Sequence, residues 1–296
     1  MNVYIQSLLL GIVEGLTEFL PVSSTAHLRI VEAAMRIPLD DAYWKMYTIV
    51  IQAGAIFALI LLFLGRIVAF IKSFPQGESG DKTWKNHPIS LTLIAFVCTS
   101  VIALPLHKIT EKHLQSIAVM AWTLLIGGIV MWVVDARASR FEPTTIHVEE
   151  MSLGQSIWIG VCQSLSAVFP GTSRSMSTIA AGQLVGMDRP SALEFSFLLS
   201  IPTMIAATAW DLLKSIHPGK TALASGAVPM AEVTMDSQRW MVLAIGFVVS
   251  FIVALGVVEW FLAWVRRHGF TPFAVYRIVL GIGLLVLGSR VLGGGL

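Results

Sequence analysis

The chain has 296 residues, of which 55% are hydrophobic and 13% charged, and its formal net charge is +2. Soluble domains carry about 25% charged residues, so this composition excludes an ordinary soluble protein and predicts an integral membrane protein. The small net charge and the lack of a basic stripe argue against nucleic acid as a partner. The loops between apolar segments are too short for a second folded domain, so we expect a single membrane domain over 1–296.

The apolar segments predict helices of two kinds. A span needs about 20 mostly apolar residues, and six segments qualify, whereas four shorter ones form two pairs that are each split by a proline. Irregular backbone at membrane depth requires surrounding protein or a watery cavity, so each short pair is predicted to be a re-entrant hairpin. In chain order the segments are a pair at 3–19 and 24–36, spans at 44–65, 88–106 and 117–134, a pair at 153–169 and 174–187, and spans at 191–211, 240–264 and 273–292.

The two hairpins carry a repeated sequence. Residues 6–24 (QSLLLGIVEGLTEFLPVSS) and 155–173 (QSIWIGVCQSLSAVFPGTS) are identical at six of 19 aligned positions, and this alignment pairs Thr25 with Arg174. We therefore expect internal repeats at 1–149 and 150–296. Because each half holds three full spans, an odd number, the halves should run in opposite directions. The expected fold class is an all-α integral membrane protein, an inverted-topology repeat of six transmembrane helices plus two re-entrant helical hairpins.

The distribution of lysine and arginine predicts the orientation. Loops 66–87, 135–152 and 265–272 hold eight of these residues, whereas loops 107–116 and 212–239 hold five. Cytoplasmic loops are the richer ones in basic residues. We therefore expect both termini outside, with the first hairpin entering the membrane from outside.

The first hairpin places two acids on one helix face. Glu14 and Glu18 are four residues apart and repel each other, and an acid at the bilayer centre costs about 2.5–3.5 kcal/mol. A bound divalent cation, an arginine partner or a shared proton would compensate this cost. The alternatives are a structural glutamate–arginine pair or a shallow, hydrated helix end.

A hydroxyl cluster and a histidine follow the first proline, in the order Ser23, Ser24, Thr25 and His27. Either of the two serines is a good N-cap, and capping alone is one interpretation. A helix N-terminus also offers free N–H groups that suit phosphate. His27 lies at the mouth of the same turn and can act as an acid or a base near neutral pH.

The second hairpin has a glycine, hydroxyls and an arginine at the corresponding break. Gly171 permits a tight turn, and Arg174 suits bidentate contacts with phosphate oxygens. The neighbouring hydroxyls belong to Thr172, Ser173, Ser175 and Thr178. Together, the two hairpins are predicted to hold a metal-bound, oxygen-rich anion, a phosphate or a diphosphate.

Two further ionisable residues fall in predicted spans. Glu194 lies near the start of its span and is interpreted as interfacial. Arg277 lies inside the last span, where we expect it either to pair with a glutamate or to extend its charge to the membrane surface.

These motifs resemble a known family. Residues 14–27 (EGLTEFLPVSSTAH) and 170–178 (PGTSRSMST) resemble the two signatures of the bacterial undecaprenyl-diphosphatase family, the bacitracin resistance (BacA) type. Residues 194–202 and the pair Tyr276-Arg277 are also similar to that family. Ala26 and Met176 stand where glycine is expected, a departure that bears on fine specificity more than on the reaction class.

The resemblance implies a helical membrane enzyme that removes one phosphate from C55 isoprenyl diphosphate and so regenerates the carrier lipid for peptidoglycan synthesis. It implies a divalent cation, Mg²⁺ or Ca²⁺, and a site on the outer, periplasmic face of the bacterial cytoplasmic membrane. The expected partners are the isoprenyl diphosphate lipid and the membrane, without nucleic acid. A homodimer is left open.

The expected site residues follow from these motifs. Catalytic roles are expected for Glu18, Ser24, His27 and Arg174, with Ser24 as nucleophile or positioning group, Glu18 as an alternative activator of water, and His27 as acid or base. Metal ligands are expected at Glu14 and Glu18. Substrate binding is expected at Ser23, Thr25, Gly171, Thr172, Ser173, Ser175 and Thr178. The alternative function is a lipid-phosphate transporter (flippase) that uses the same inverted-repeat site.

Overall fold

The structure is a computed structural model that describes residues 1–38, 41–113, 116–216 and 234–291. The regular secondary structure in these ranges is helical, apart from one isolated β-bridge between Thr145 and Met187. Ten α-helices lie in these ranges, together with a 3₁₀ turn at Val148–Glu150. They are α1 (Val3–Thr17), α2 (Ser24–Ala34), α3 (Ala42–Ser73), α4 (Pro88–His113), α5 (Ile117–Ala138), α6 (Leu153–Val168), α7 (Arg174–Leu184), α8 (Arg189–Ile216), α9 (Ser237–Val265) and α10 (Thr271–Val291).

Five of these helices, α3, α4, α5, α8 and α9, are long and apolar enough to cross a membrane. The sixth predicted span corresponds to α10, a helix of 21 residues that is apolar over Thr271–Leu287. The chain is therefore an all-α integral membrane protein, as its composition predicts. The predicted loop at 212–239 lies mostly outside the described residues.

Helices α3 and α4 extend furthest beyond the predicted spans. Helix α4 continues through Pro105 to His113 rather than ending at the proline. Helix α3 runs to Ser73 and carries Arg66 within it. Its guanidinium lies 2.7 Å from a carboxylate oxygen of Glu149 and 2.7 Å from one of Glu194. The sequence alone indicates that Glu194 is interfacial and does not predict its ion pair with Arg66 of α3.

The two predicted hairpins correspond to the pairs α1–α2 and α6–α7. Their first helices have 15 and 16 residues and their second helices have 11 each. A helix of 15 residues is about 22 Å long, which is shorter than a hydrocarbon core of about 30 Å. Each pair therefore forms a broken, not a continuous, helix.

The helices of the two chain halves are interleaved. Helix α1 packs along α9, α6 packs along α4, and α5 packs along α10. The first two of these helix pairs are joined by equivalent hydrogen bonds, each from a serine hydroxyl to a backbone carbonyl. Ser7 Oγ donates to the Val242 carbonyl at 2.6 Å, and Ser156 Oγ donates to the Leu91 carbonyl at 2.6 Å. Each half thus anchors its hairpin on a helix of the other half.

Glycines at equivalent positions make this close packing possible. A Cβ on Gly11 would lie 2.8 Å from the Gly246 carbonyl oxygen, and a Cβ on Gly160 would contact the Ala95 carbonyl oxygen more closely still. Both residues face the crossing helix without a side chain, one turn after the serine bonds. Small residues allow helices to approach in this way within membranes.

An aromatic cluster lies next to the break of the first hairpin. Phe19, which follows Glu18, meets Phe197 of α8 edge to face, with ring centroids 5.7 Å apart. Phe63 of α3 and Phe261 of α9 pack on the same Phe197 ring, at 5.8 and 6.4 Å. This cluster gives the polar groups of the hairpin break a rigid apolar support.

Candidate active site

The breaks of the two hairpins present two capped helix N-termini. The Ser23 hydroxyl accepts the backbone N–H of Ala26 and caps α2, and the Ser173 hydroxyl accepts that of Met176 and caps α7. Both serines have a positive φ, 75° and 70°. A non-glycine residue in this region is uncommon and often marks a functional turn.

The cap positions correct the repeat alignment by one residue. Ser23 is equivalent to Ser173, so Ser24 and Arg174 are both the first residue of their helices. The alignment that pairs Thr25 with Arg174 is wrong after the prolines, because the second break has one more residue before its cap. Gly171, at φ 92°, lies in this longer turn.

Glu18 receives contacts from both helix starts. Ser24 Oγ donates to Glu18 Oε2 at 2.5 Å, and Arg174 Nη2 lies 3.6 Å from Glu18 Oε1. The Glu18 side chain is buried. A buried carboxylate needs such partners because it is removed from solvent, and here each hairpin supplies one of them. The predicted arginine partner for the acid pair is therefore present.

Glu14 lies one turn earlier on α1 and is almost fully buried, with 1% of its surface exposed. Its Oε1 atom has no hydrogen-bond partner in the described part of the chain. A buried carboxylate oxygen without a donor is costly, and a cation would satisfy it. Carboxylate oxygens are the ligands that Mg²⁺ and Ca²⁺ take.

The carboxylates at the break fit a cation that takes some of its ligands from the protein and others from the substrate. Among the described residues no group of three or more His, Cys, Asp or Glu side chains is placed to hold a metal. Glu14 and Glu18 therefore offer two carboxylates. Mg²⁺ is commonly held by one or two carboxylates together with substrate phosphates and water, whereas Ca²⁺ takes six to eight oxygens.

Arg174 keeps part of its donor capacity unused. Its Nη1 donates to the Ser196 carbonyl at 3.4 Å, while Nη2 has no hydrogen bond within the described residues. Its 3.6 Å ion pair with Glu18 compensates part of its charge, and a buried guanidinium N–H without a hydrogen bond favours an incoming anion. The break thus includes a Glu14 oxygen and an Arg174 nitrogen that make no hydrogen bond within the described residues.

Both ring nitrogens of His27 contact groups other than Ser24 and Glu18. Its Nδ1 lies 2.7 Å from the Ser23 carbonyl oxygen, and its Nε2 lies 2.6 Å from the Tyr276 hydroxyl. A carbonyl only accepts, so Nδ1 carries the proton, and the Nε2 of a neutral ring accepts from Tyr276. The two rings are stacked, with centroids 5.6 Å apart.

The predicted binding hydroxyls of the second hairpin divide into two groups. Ser173 lies at the helix start as its cap. Thr178 and Ser175 lie in the interior, where Thr178 Oγ1 is 2.6 Å from Ser196 Oγ and the Ser175 hydroxyl is buried without a described partner. Thr25 of the first hairpin is half-buried near Ser24.

Arg277 joins the two breaks. It is completely buried and donates to the Pro21 carbonyl at 3.1 Å, the Gly171 carbonyl at 3.2 Å and the Thr172 carbonyl at 2.9 Å. A fourth bond goes to the Thr123 carbonyl at 3.1 Å. Both expectations for Arg277, a glutamate partner or extension to the surface, are wrong, because backbone carbonyls freed at the breaks satisfy its charge.

Comparison with known proteins identifies the family. The model of the family described as "Bacitracin resistance protein BacA" matches residues 7–283 of the chain. The chain belongs to the BacA family. The resemblance drawn from the two motifs is therefore confirmed.

Relatives of this BacA-family chain match it along nearly its whole length. A protein named undecaprenyl-diphosphatase from Koribacter versatilis (strain Ellin345) is 59% identical over 286 residues, which cover 96% of this chain and 98% of the relative. Proteins of the same name are 40% identical in Caldanaerobacter subterraneus subsp. tengcongensis, with 97% of each chain covered, and 39% identical in Rhizobium etli (strain CIAT 652), with 95% and 96% covered.

Two BacA-family residues at this site were missed as site residues by the sequence analysis. Tyr276 contacts His27 across 249 residues of chain, and Arg277 binds carbonyls of both hairpins. The available signal was a tyrosine–arginine pair inside an apolar span, since an ionisable residue there marks a functional or buried polar site.

Proposed function

We propose that this BacA-family protein hydrolyses undecaprenyl diphosphate to undecaprenyl phosphate and inorganic phosphate. The observation that carries the proposal is the contact of one carboxylate, Glu18, with the first residues of two facing helices, Ser24 and Arg174. The names of the relatives support the substrate. They do not support the transporter alternative, and we do not extend it to this chain.

The diphosphate binds between the two helix starts. Helix N-termini carry partial positive charge and free N–H groups, which favour phosphate. Nη2 of Arg174, which makes no hydrogen bond within the described residues, donates to a phosphate oxygen. Ser23 and Ser173 hold the two turns in place through their cap bonds. Their hydroxyls therefore set the shape of the site, and the backbone at the same turns binds the diphosphate. Thr25 lies beside the first turn and contributes a further hydroxyl.

Ser24 acts as the nucleophile and Glu18 as its base. The hydroxyl already donates to Glu18 Oε2 at 2.5 Å, a length typical of a strong O–H···O⁻ bond. Ser24 Oγ attacks the terminal phosphorus as its proton passes to Glu18. The bond from this phosphorus to the bridging oxygen breaks, and undecaprenyl phosphate leaves with the bonding electrons.

Water completes the reaction. It attacks the phosphoserine, the bond between phosphorus and Ser24 Oγ breaks, and Glu18 returns the proton to the serine oxygen. Inorganic phosphate leaves with the oxygen and both protons of the water. Throughout, Arg174 neutralises the oxygens on the reacting phosphorus, which is the main contribution that a protein makes to phosphoryl transfer.

Glu14 and Glu18 would hold the divalent cation, Mg²⁺ or Ca²⁺. The unpaired Oε1 of Glu14 supports this assignment. A bound cation would neutralise phosphate charge as a Lewis acid. His27 is a positioning residue in this scheme: it binds the Ser23 carbonyl and so holds the turn from which Ser24 projects.

The location follows the same reasoning. We propose that repeats 1–149 and 150–296 are inverted in the bacterial cytoplasmic membrane, with the site open to the periplasm. Helix α1 packs on α9 and α6 packs on α4, so each hairpin contacts the other half of the chain, which supports the repeats. The loop charges support the orientation. The proposed partners are the isoprenyl diphosphate lipid and the membrane, without nucleic acid.

The first experiment measures phosphate release from C55 isoprenyl diphosphate by purified protein in detergent. Release is expected with Mg²⁺ or Ca²⁺ and is expected to stop with excess chelator. Arg174→Ala should lower kcat/KM by about a thousandfold or more, the scale of arginine clamps in phosphoryl transfer. Arg140→Ala, an exposed arginine, is the control. Turnover retained by folded Arg174→Ala would contradict the proposal.

A further inference from the structure

A cavity lies at the end of α7 that is farther from the candidate active site. Its volume is about 540 Å³, and the ends of α5, α7 and α9 and the start of α8 enclose it. Helix α7 has 11 residues and leads from Arg174 at the active site to Leu184 at this cavity. That length corresponds to about 15 Å, so the two sites are separate.

Four arginines line this cavity: Arg137, Arg189, Arg266 and Arg267. Arg189 is paired, since its Nε lies 2.8 Å from Asp135 Oδ1. The ion pairs found in the described ranges involve none of the other three. The cavity therefore presents several positive charges that the described protein does not neutralise.

The acids that line the cavity are fewer. They are Glu142 and Asp188. Asp188 Oδ1 accepts the backbone N–H of Ser191 at 2.8 Å and so caps the start of α8, where the positive end of the helix dipole already offsets its charge. With Arg189 paired to Asp135, three arginines against two acids leave the lining positive.

The cavity also has an apolar wall, to which Val134, Leu184 and Val265 contribute. The cavity lies where α5 ends at Ala138 and α9 ends at Val265. Both helices are long and apolar enough to cross a membrane. Half of the Leu184 surface is exposed. An apolar wall beside arginines matches a molecule with a charged head and a hydrocarbon chain.

We propose that this cavity binds the headgroup of an anionic phospholipid, with its phosphate at Arg137, Arg266 and Arg267 and its acyl chain against Leu184. A free phosphate would use the arginines and leave the apolar wall without a role. The proposal does not depend on the diphosphatase reaction, because no residue of the cavity belongs to the active site.

The lining connects a bound lipid to the fold. Gln183 Nε2 and Arg189 Nε both donate to Asp135 Oδ1, at 3.1 and 2.8 Å. Asp135 Oδ2 accepts the backbone N–H of Phe270 at 2.9 Å, just before α10. A lipid bound beside this cluster contacts the ends of α7 and α8 together, so it stabilises the folded protein by linkage.

The test uses the purified full chain in mild detergent. Native mass spectrometry and thermal unfolding are measured with phosphatidylglycerol, phosphatidylcholine and inorganic phosphate. The variant is the double substitution Arg266→Gln/Arg267→Gln. The matched control is Arg140→Gln, because Arg140 is an exposed arginine close to Arg137 in sequence but outside the cavity lining. A single Arg137→Gln variant serves if the double variant does not fold.

Phosphatidylglycerol is expected to bind and raise the Tm of the unsubstituted chain and of Arg140→Gln. The double variant should bind it at least about tenfold more weakly, given about 1 kcal/mol for each basic residue near a lipid surface. Equal protection by phosphatidylcholine, or equal protection by inorganic phosphate, would overturn the lipid site. So would unchanged phosphatidylglycerol binding in folded cavity variants.

Discussion

Ser24 and Arg174 occupy the same position in two helices and contact the same carboxylate. Each is the first residue after a serine cap with positive φ, and Glu18 lies between them. One position supplies a hydroxyl and the other a permanent cation. Equivalent helix positions therefore carry different chemical groups, which in the proposed function separates a nucleophile from an anion-binding group.

Replacement of Ser24 distinguishes a nucleophile from a positioning group. Ser24→Ala removes the oxygen that would carry the phosphoryl group, so we expect kcat to fall about a thousandfold or more. Acid quench with substrate labelled in its terminal phosphate should trap phosphoserine in the unsubstituted chain alone. Ser100→Ala, which removes a hydroxyl bound to the Phe96 carbonyl on α4, is the control. More than a tenth of normal kcat in Ser24→Ala would favour water activated by Glu18.

Substitution of Glu14 tests the cation. Glu14→Gln keeps the shape and removes a buried charge whose Oε1 is unpaired. In chelator the variant should be at least as stable as the unsubstituted chain, because burial disfavours the carboxylate that the substitution removes. In activity assays it should need at least about tenfold more Mg²⁺, because a charged ligand is lost. Thermal unfolding with and without chelator, beside Glu78→Gln at an exposed acid, measures both effects. An identical chelator dependence in the two variants would remove Glu14 from the metal site.

Tyr276 is expected to act through His27. Tyr276→Phe keeps the stacked ring and removes the hydroxyl that lies 2.6 Å from His27 Nε2. We expect kcat to fall about tenfold with KM within twofold, because a misplaced turn affects the reacting geometry more than binding. Combined with His27→Ala, the loss should be less than additive. Tyr43→Phe, whose hydroxyl donates to the Arg239 carbonyl, is the control. Full additivity would mean that Tyr276 acts independently of His27.

Sequence patterns were sufficient for the architecture because each signal was local. Hydropathy predicted the spans, and prolines at 21 and 170 predicted the breaks. Loop charges and the odd number of spans gave an inverted arrangement that remains a prediction. Local signals failed at Pro105, where the helix continues, because packing in a membrane protein tolerates a proline that an isolated helix does not.

The site itself could be predicted only as two motifs. The acids, hydroxyls and arginine were visible, but their contacts depend on the fold. Arg174 reaches Glu18 across 156 positions of sequence, and one inserted residue shifted its equivalence from Thr25 to Ser24. Tyr276 and Arg277 reach the hairpins from the last helix. Contacts of such separation follow from helix packing and not from spacing along the chain.

Arg277 is expected to be the residue on which both hairpins depend. Its guanidinium donates to four backbone carbonyls, among them Pro21 and Gly171 at the two breaks. Arg277→Met fills similar volume but leaves these carbonyls unpaired, so we expect a loss of about 3–5 kcal/mol in unfolding free energy and loss of activity. Arg277→Lys should recover only part of the stability, because an ammonium cannot span both breaks. Thermal unfolding beside Arg140→Met, an exposed arginine outside the cavity lining and the candidate active site, provides the comparison. If Arg277→Met unfolds at the Tm of that control, the hairpins are held by α9 and α4 alone.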